Sequence, residues 1–347
     1  MTTVSETAYP QLHPEPRPRE LSDHYTPSAD ELAWAKKRTL TPLKRVSLLV
    51  LLKCAQRLGY FPLLKDIPRP YLDHATRASG FARTLTAEEI RKADAGGSRQ
   101  ANVDLLRERL DIKPLDDKRW LFTRAQTVAA VQHHLPDIIN VLLEELVHFR
   151  YELPGFSTLL RTARSARDRI EEGHYEAISD PLSPSIRKTI DALFKLPDGS
   201  STTAWNSLKQ EPAKPTNAAV REYLDHVRQL QILSVGLPAV DMVSVSKLKY
   251  YRALARASNA TEMAELKPNK RYALAVIFIR SCHARALDDA ADLYIRLYDR
   301  MQATAQRRLR EYQLQQGRVI DTLIERFHGT LLAYQVEGGV TKRFQAI

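Results

Sequence analysis

The chain is poor in the residues that most chemistries and several fold classes require. It has two cysteines, twelve glycines and only 7% aromatics in 347 residues. A disulfide scaffold is therefore excluded. Cys54 and Cys282 stand apart in apolar surroundings and read as small buried hydrophobes of a reducing compartment. No apolar run reaches the roughly 18 residues of a membrane-spanning helix. The opening segment holds Pro10, Pro14, Pro16 and Pro18 among acids, which suits neither a signal nor a transit peptide. A soluble, cytoplasmic protein with no membrane partner is expected.

Chemistry-bearing patterns are missing as well. Glycine loops of the Walker or Rossmann type and the Gly-x-Ser-x-Gly elbow are absent. The histidines lack zinc spacing, and the adjacent His133 and His134 would diverge on a helix. Glu144 and Glu145 are also neighbours, and adjacent helical carboxylates point about 100° apart, so they form no acid/base dyad. No catalytic residue, metal or cofactor is expected.

What remains is helix-forming and basic. Leu, Ala, Arg, Glu and Gln dominate, and 44% of residues are apolar, enough to bury real cores. The formal charge is +11, which favours a polyanionic partner. Charge is also unevenly placed. Residues 1–35 carry six acids and two bases, whereas residues 36–65 carry eight bases and no acid. An ordinary solvated surface intersperses both signs; a one-sign segment is the footprint of phosphate binding.

Helix punctuation predicts an all-α fold of consecutive small helical, helix-turn-helix-like domains followed by a longer-helix bundle. Ser28-Ala-Asp-Glu31 and Thr86-Ala-Glu-Glu89 have capping-box form, and Pro42 sits where a first-turn proline belongs. The expected order is a disordered acidic, proline-rich tail over 1–25, a first DNA-binding domain over 26–115 and a second over 116–196. A linker or long loop over 197–216, anchored by Trp205, precedes a bundle over 217–347. In that bundle, helices are expected at 243–257, 268–285 and 286–334, the last breaking near Gly317. Its buried stripe is read as Leu287, Ala290, Ala291, Tyr294, Leu297 and Met301. No repeat of 30–50 residues recurs, so a solenoid is excluded.

Four stretches together resemble the N-terminal region of Tn-three-family transposases, the large enzymes of replicative transposons. They are Leu48 to Phe61, Ser98 to Leu110, Asp137 to Leu159, and Trp205 to Pro212 taken with Lys270 to Leu274. The Asp137 stretch is the most specific. The resemblance implies recognition of terminal inverted repeats in double-stranded DNA by linked helical modules, in a bacterial, nucleoid-associated cytosolic setting. A homodimer in the full-length context is a further expectation. The family's Asp-Asp-Glu centre lies on a later domain, so this chain is expected to bind DNA without catalysing strand transfer.

Lys36, Lys37, Arg38, Lys44 and Arg45 are the leading phosphate contacts. Arg161, Arg164 and Arg167, one side of a predicted helix, and Lys270 with Arg271 are secondary ones. Base readout is assigned to Ser98, Arg99, Gln100 and Asn102 at a helix start, since Arg suits guanine and Asn or Gln suits adenine. Two competing readings stay open. One is a helical interaction or assembly protein with incidental DNA binding, the other a stand-alone nuclease or recombinase.

Overall fold

The computed structural model describes residues 2–81, 83–95, 97–197 and 199–337, excepting the side chains of Ser98 and residues 334–337. Among these residues the regular elements are helices, with no β-strand, as composition and caps imply. The chain divides into two compact units.

Unit 1 comprises the residues up to Pro181, with Ala239–Ala253 and Pro268–Ala273. Its helices are α1 (Pro18–His24), α2 (Ala29–Arg38), α3 (Pro42–Leu58), α4 (Arg69–Ala78), α5 (Ala87–Asp94), α6 (Gly97–Leu110), α7 (Lys118–Ala129), α8 (Leu135–His148) and α9 (Phe156–Ser179). Both expected capping boxes form, at Ser28/Glu31 and Thr86/Glu89. The α3 helix starts on a Thr41 cap with Pro42 at its first position and ends at Gly59 in the left-handed region, φ 73°. A Cβ at Gly59 would also come within 3.1 Å of the Leu153 side chain, so glycine is required there twice over.

Because α3 is apolar almost all round, it can only be satisfied at the centre of a cluster. Val46 through Leu52 are buried, with α2, α4, α5 and α6 packed about them. Cys54 lies in this core, and burial pushes its thiol up to about 12, which makes it inert at neutral pH. Glu31, which accepts from the Ser28 N–H in its own helix cap, also accepts from Gln56 (2.8 Å) and pairs with Lys53 (3.2 Å). A second apolar cluster joins α7, α8 and α9. Ala125 and Ala129 of α7 and Ala163 and Ala166 of α9 have no exposed surface, and such small side chains let two helix axes approach closely.

The expected boundary at 115/116 lies between these two cores, yet both belong to one unit. The half-buried ring of Tyr60 packs against both cores, and Arg107 of α6 pairs with Glu152 at 2.7 Å. The expectation of a disordered tail over 1–25 is overturned for the described residues. The Tyr9 ring stacks on Tyr60 at 5.6 Å, its hydroxyl donates to the Pro154 carbonyl, and the Ala8 N–H donates to Asn140. Tyr25 is buried outright. A few aromatic anchors outweigh the proline and acid content that argued for disorder.

Unit 2 comprises Leu182–Pro238, Leu254–Lys267 and the residues from Leu274. The helices from here to the chain's end are α10 (Pro184–Leu193), α11 (Ala204–Ser207), α12 (Asn217–Ser234), α13 (Val245–Ala257), α14 (Ala260–Glu265) and α15 (Pro268–Glu337). Residues 245–253 of α13 and 268–273 of α15 belong to unit 1. Trp205 has no exposed surface: its indole N–H donates to the Ser258 carbonyl, and its ring lies 5.2 Å from Phe194 and 4.9 Å from Phe278. The 197–216 segment is thus a pinned loop carrying the short helix α11.

Two expectations for the C-terminal helices are corrected. Residues 268–337 form one helix without a break at 285 or at Gly317, since a glycine costs a helix only about 1 kcal/mol. The buried stripe is also shifted. Ala286 and Leu293 are buried, and Ala290 and Leu297 half-buried, whereas Leu287, Ala291, Tyr294 and Met301 are exposed. Tyr223 of α12 donates to Asp289 at 3.3 Å, and this contact helps set which face of α15 turns inward.

Candidate nucleic-acid interface

The α2 helix ends in Lys36, Lys37 and Arg38, and a three-residue turn leads into α3, whose first turn contributes Lys44 and Arg45. Lys36, Lys37, Arg38 and Lys44 are exposed and Arg45 half-buried. Among the described residues none of the five has an ion-pair partner, and the buried Nε of Arg45 has no hydrogen-bond acceptor. Several other cations of unit 1 are paired internally. Arg109, for example, pairs with Asp30 at 2.7 Å and lies over the Trp34 ring.

Lys36, Lys37 and Arg38 suit the C-terminal end of α2, but the placement of Lys44 and Arg45 works against the stability of α3. The N-terminal end of a helix carries partial positive charge and favours acids, as α2 and α5 show with Asp30/Glu31 and Glu88/Glu89. The first turn of α3 has no acid and two bases. Each misplaced charge costs a few tenths of a kcal/mol or more. An anion held at this turn would reverse the sign of that term, since the positive end of the α3 dipole and five cations lie about it.

A second basic surface lies on α9. Leu159, Ala163 and Ala166 face the α7–α8–α9 core, and Ser157, Arg161, Arg164, Ser165 and Asp168 are exposed at the complementary spacing of four, three, one and three residues. Arg161, Arg164 and the neighbouring Arg169 have no ion-pair partner among the described residues, whereas Arg167 is half-buried and pairs with Asp168 at 2.9 Å. The face therefore carries two guanidinium groups flanked by hydroxyls, with Asp168 at its far end.

The base-readout set expected at the start of α6 does not come together at the surface. Arg99 donates to the Phe61 and Pro62 carbonyls (2.7 and 3.1 Å) and lies 3.6 Å from Asp94, so its fork is spent on tying α6 to the loop after α3. Asn102 is buried. Gln100 is exposed and donates to Asp104, and the side chain of Ser98 lies outside the described residues. Lys270 and Arg271 are half-buried, with Lys270 set over the Tyr175 ring and Arg271 over that of Tyr272. These two cations are engaged by their own unit rather than offered to solvent.

Sequence reasoning missed two features. Leu40, at the tip of the α2–α3 turn, is 98% exposed, and Ser157 and Ser165 share the basic face of α9. The hydroxyls could have been found by extending the arginine spacing by one turn. The leucine could not, because its exposure depends on how α3 is packed. Among the described residues no group of three or more His, Cys, Asp or Glu side chains could hold a metal, and no helix is long and apolar enough to cross a membrane.

Residues 1–166, which carry the α2–α3 turn and the start of the α9 face, match the family described as a domain of unknown function, DUF4158. The chain is also 26% identical over 228 residues to the transposase for transposon Tn501 of Pseudomonas aeruginosa. It is 24% identical over 179 residues to the transposase for transposon Tn21 of Escherichia coli, and 24% over 183 residues to that for transposon gamma-delta of Escherichia coli strain K12. Over these stretches the chain is similar to transposases of replicative transposons. The matches cover 65%, 52% and 51% of the chain but 23%, 18% and 17% of those relatives, so the chain spans about a fifth of their length.

Proposed function

We propose that this chain binds double-stranded DNA at the terminal inverted repeats of a transposon, as the recognition part of a replicative transposition system rather than its strand-cleaving part. The observation that carries the reading is the α2–α3 turn. Five cations without ion-pair partners among the described residues flank one short turn, Lys36, Lys37 and Arg38 at the end of α2 and Lys44 and Arg45 in the first turn of α3, where the latter two oppose the helix dipole; an array of phosphates would stabilise this arrangement. In this reading Lys36, Lys37, Arg38, Lys44 and Arg45 grip phosphates and set register.

The base-reading element is α9. Its exposed Ser157, Arg161, Arg164 and Ser165 lie on the outer face of a small three-helix cluster, and a major groove about 12 Å wide admits one helix. Arg161 and Arg164 can each address guanine or phosphate, and the serines adapt to either donor or acceptor. Two basic surfaces in one unit suit a long site, because linked contacts raise affinity through effective concentration.

The test is a binding titration against the terminal repeat of the element that carries the gene and a scrambled duplex of the same length. Tight binding to the repeat is expected, with a log–log salt slope that grows by about 0.9 for each phosphate neutralised. Equal affinity for both duplexes at about 0.15 M salt would end the claim of specificity.

A second reading is self-assembly through α15, favoured by the exposed Ile320, Leu323, Ile324 and Phe327, which recur at helical spacing along its distal part. The occupant would be a second copy of the chain. A stable dimer without DNA that survives charge reversal at residues 36–45 would support it.

A further inference from the structure

We propose that Leu40 is a wedge that enters the minor groove of bound DNA and partly unstacks one base step, bending the duplex at the α2–α3 turn. The inference rests on the DNA-binding reading above and goes further, because it assigns the turn a deforming action that phosphate contacts alone do not require. Leu40 is 98% exposed, in a turn whose neighbours on both sides are fixed. Thr39 is buried, with its hydroxyl donating to the Ala35 carbonyl at 2.7 Å. Thr41 caps α3 by accepting from the Lys44 N–H, and Pro42 holds its own φ near the helical value. The apolar side chain is therefore presented by a clamped backbone and is not merely the loose end of a loop.

Its surroundings define the partner. Lys36, Lys37 and Arg38 precede the leucine, and Lys44 and Arg45 follow it, with no acid anywhere in residues 36–65. An isolated leucine ringed by cations does not suit an apolar protein groove. It fits a narrow slot between two phosphate rails: the minor groove is about 6 Å wide, and its two backbones would each meet one set of cations. Leucine is among the side chains used as wedges between base steps, and unstacking costs least at pyrimidine–purine steps such as TA and CA. The device thus selects sequence through deformability, independently of any hydrogen bond that α9 makes to base edges.

The experiment uses the full chain with fluorophore-labelled terminal-repeat duplexes, reading bend by end-to-end energy transfer and unstacking by 2-aminopurine placed at successive steps. The wild type is expected to bend the duplex by roughly 20–90° and to brighten 2-aminopurine at one step. L40A, whose substituted side chain touches solvent only, should keep its melting temperature, lose both signals and bind about tenfold more weakly; K44A should bind more weakly, most of all at low salt and with a shallower salt slope, yet still bend what it binds. Equal bending and brightening by wild type and L40A overturns the wedge and leaves the DNA-binding reading intact. Absence of any duplex binding by the wild type overturns both. Leu40-dependent binding to phosphatidylglycerol vesicles, with DNA binding unaffected by L40A, also overturns the wedge and assigns the turn to an anionic membrane surface.

Discussion

The Nζ of Lys247, a residue with no exposed surface, lies 3.0 Å from the Glu171 carboxylate. This pair joins the unit 1 part of α13 to α9, and it sits beside the His174–Tyr251 hydrogen bond of 3.1 Å. Burial lowers the Lys247 pKa, and the Glu171 charge works against that shift. Removing one partner leaves the other buried and uncompensated, so K247M should destabilise unit 1 by about 3–5 kcal/mol. The double variant K247M/E171L, which deletes both charges, should recover most of that loss. Denaturant unfolding of the three proteins checks this; a single-variant cost below about 1 kcal/mol would contradict the role assigned to the pair.

Stability should fall as pH drops below about 6.5. Burial lowers the pKa of His174, reinforced by the Lys247 charge, and burial likewise lowers that of His133, reinforced by His134. The unfolded chain therefore binds these protons more readily than the folded one. The favourable contribution is complete above the unfolded pKa and is lost as pH falls from there toward the folded values. Glu31, held low against burial by its Ser28, Gln56 and Lys53 partners, adds a separate loss at more acidic pH. Melting temperatures measured between pH 7.5 and 5 should decline, and H174Q should decline less steeply.

R99A should weaken the fold rather than the interface. Each charge-assisted bond that Arg99 makes to the Phe61 and Pro62 carbonyls is worth about 1.5–3 kcal/mol, whereas the exposed Gln100 should tolerate alanine within about 0.5 kcal/mol. Under conditions where R99A remains folded, its affinity for the terminal repeat should match the wild type. A tenfold loss at unchanged stability would restore α6 as a reading helix.

Neutralising the α2–α3 turn should change salt dependence, while changing α9 should change specificity. K36A/K44A is expected to reduce the log–log salt slope by about 1.8 and to weaken repeat and scrambled duplexes alike. R161A or R164A should cost about 1–3 kcal/mol on the repeat and much less on scrambled DNA. Titrations at four salt concentrations separate the two patterns.

Trp205 should matter out of proportion to its place in an irregular segment. W205A removes a side chain with no exposed surface and is expected to cost unit 2 about 3–5 kcal/mol. Alanine at the exposed Leu314, on the distal part of α15, should be neutral within about 0.5 kcal/mol in the same unfolding measurement.

Much of this architecture is legible in the chain itself, for reasons that are local. Ser28/Glu31 and Thr86/Glu89 satisfy orphan N–H groups within four residues of sequence, and Pro42 with Gly59 brackets α3 by backbone geometry alone. The basic segment from Lys36 to Lys65 is equally plain, since charge needs no folding to be counted. The phase of α15 was harder to read. Its apolar residues occur on more than one side, and contacts such as Tyr223–Asp289 decide which side turns inward.

The sequence by itself determined the helical class, the starts of α2, α3 and α5 and the gathering of cations about residue 40, because propensity, capping and charge act over a few residues. Only the tertiary structure decided which of those side chains face solvent. Asn102 is buried and Arg99 is spent on carbonyls inside unit 1, while Leu40 stands 98% exposed. Exposure is set by what packs against a residue from distant parts of the chain, and neither periodicity nor composition carries that information.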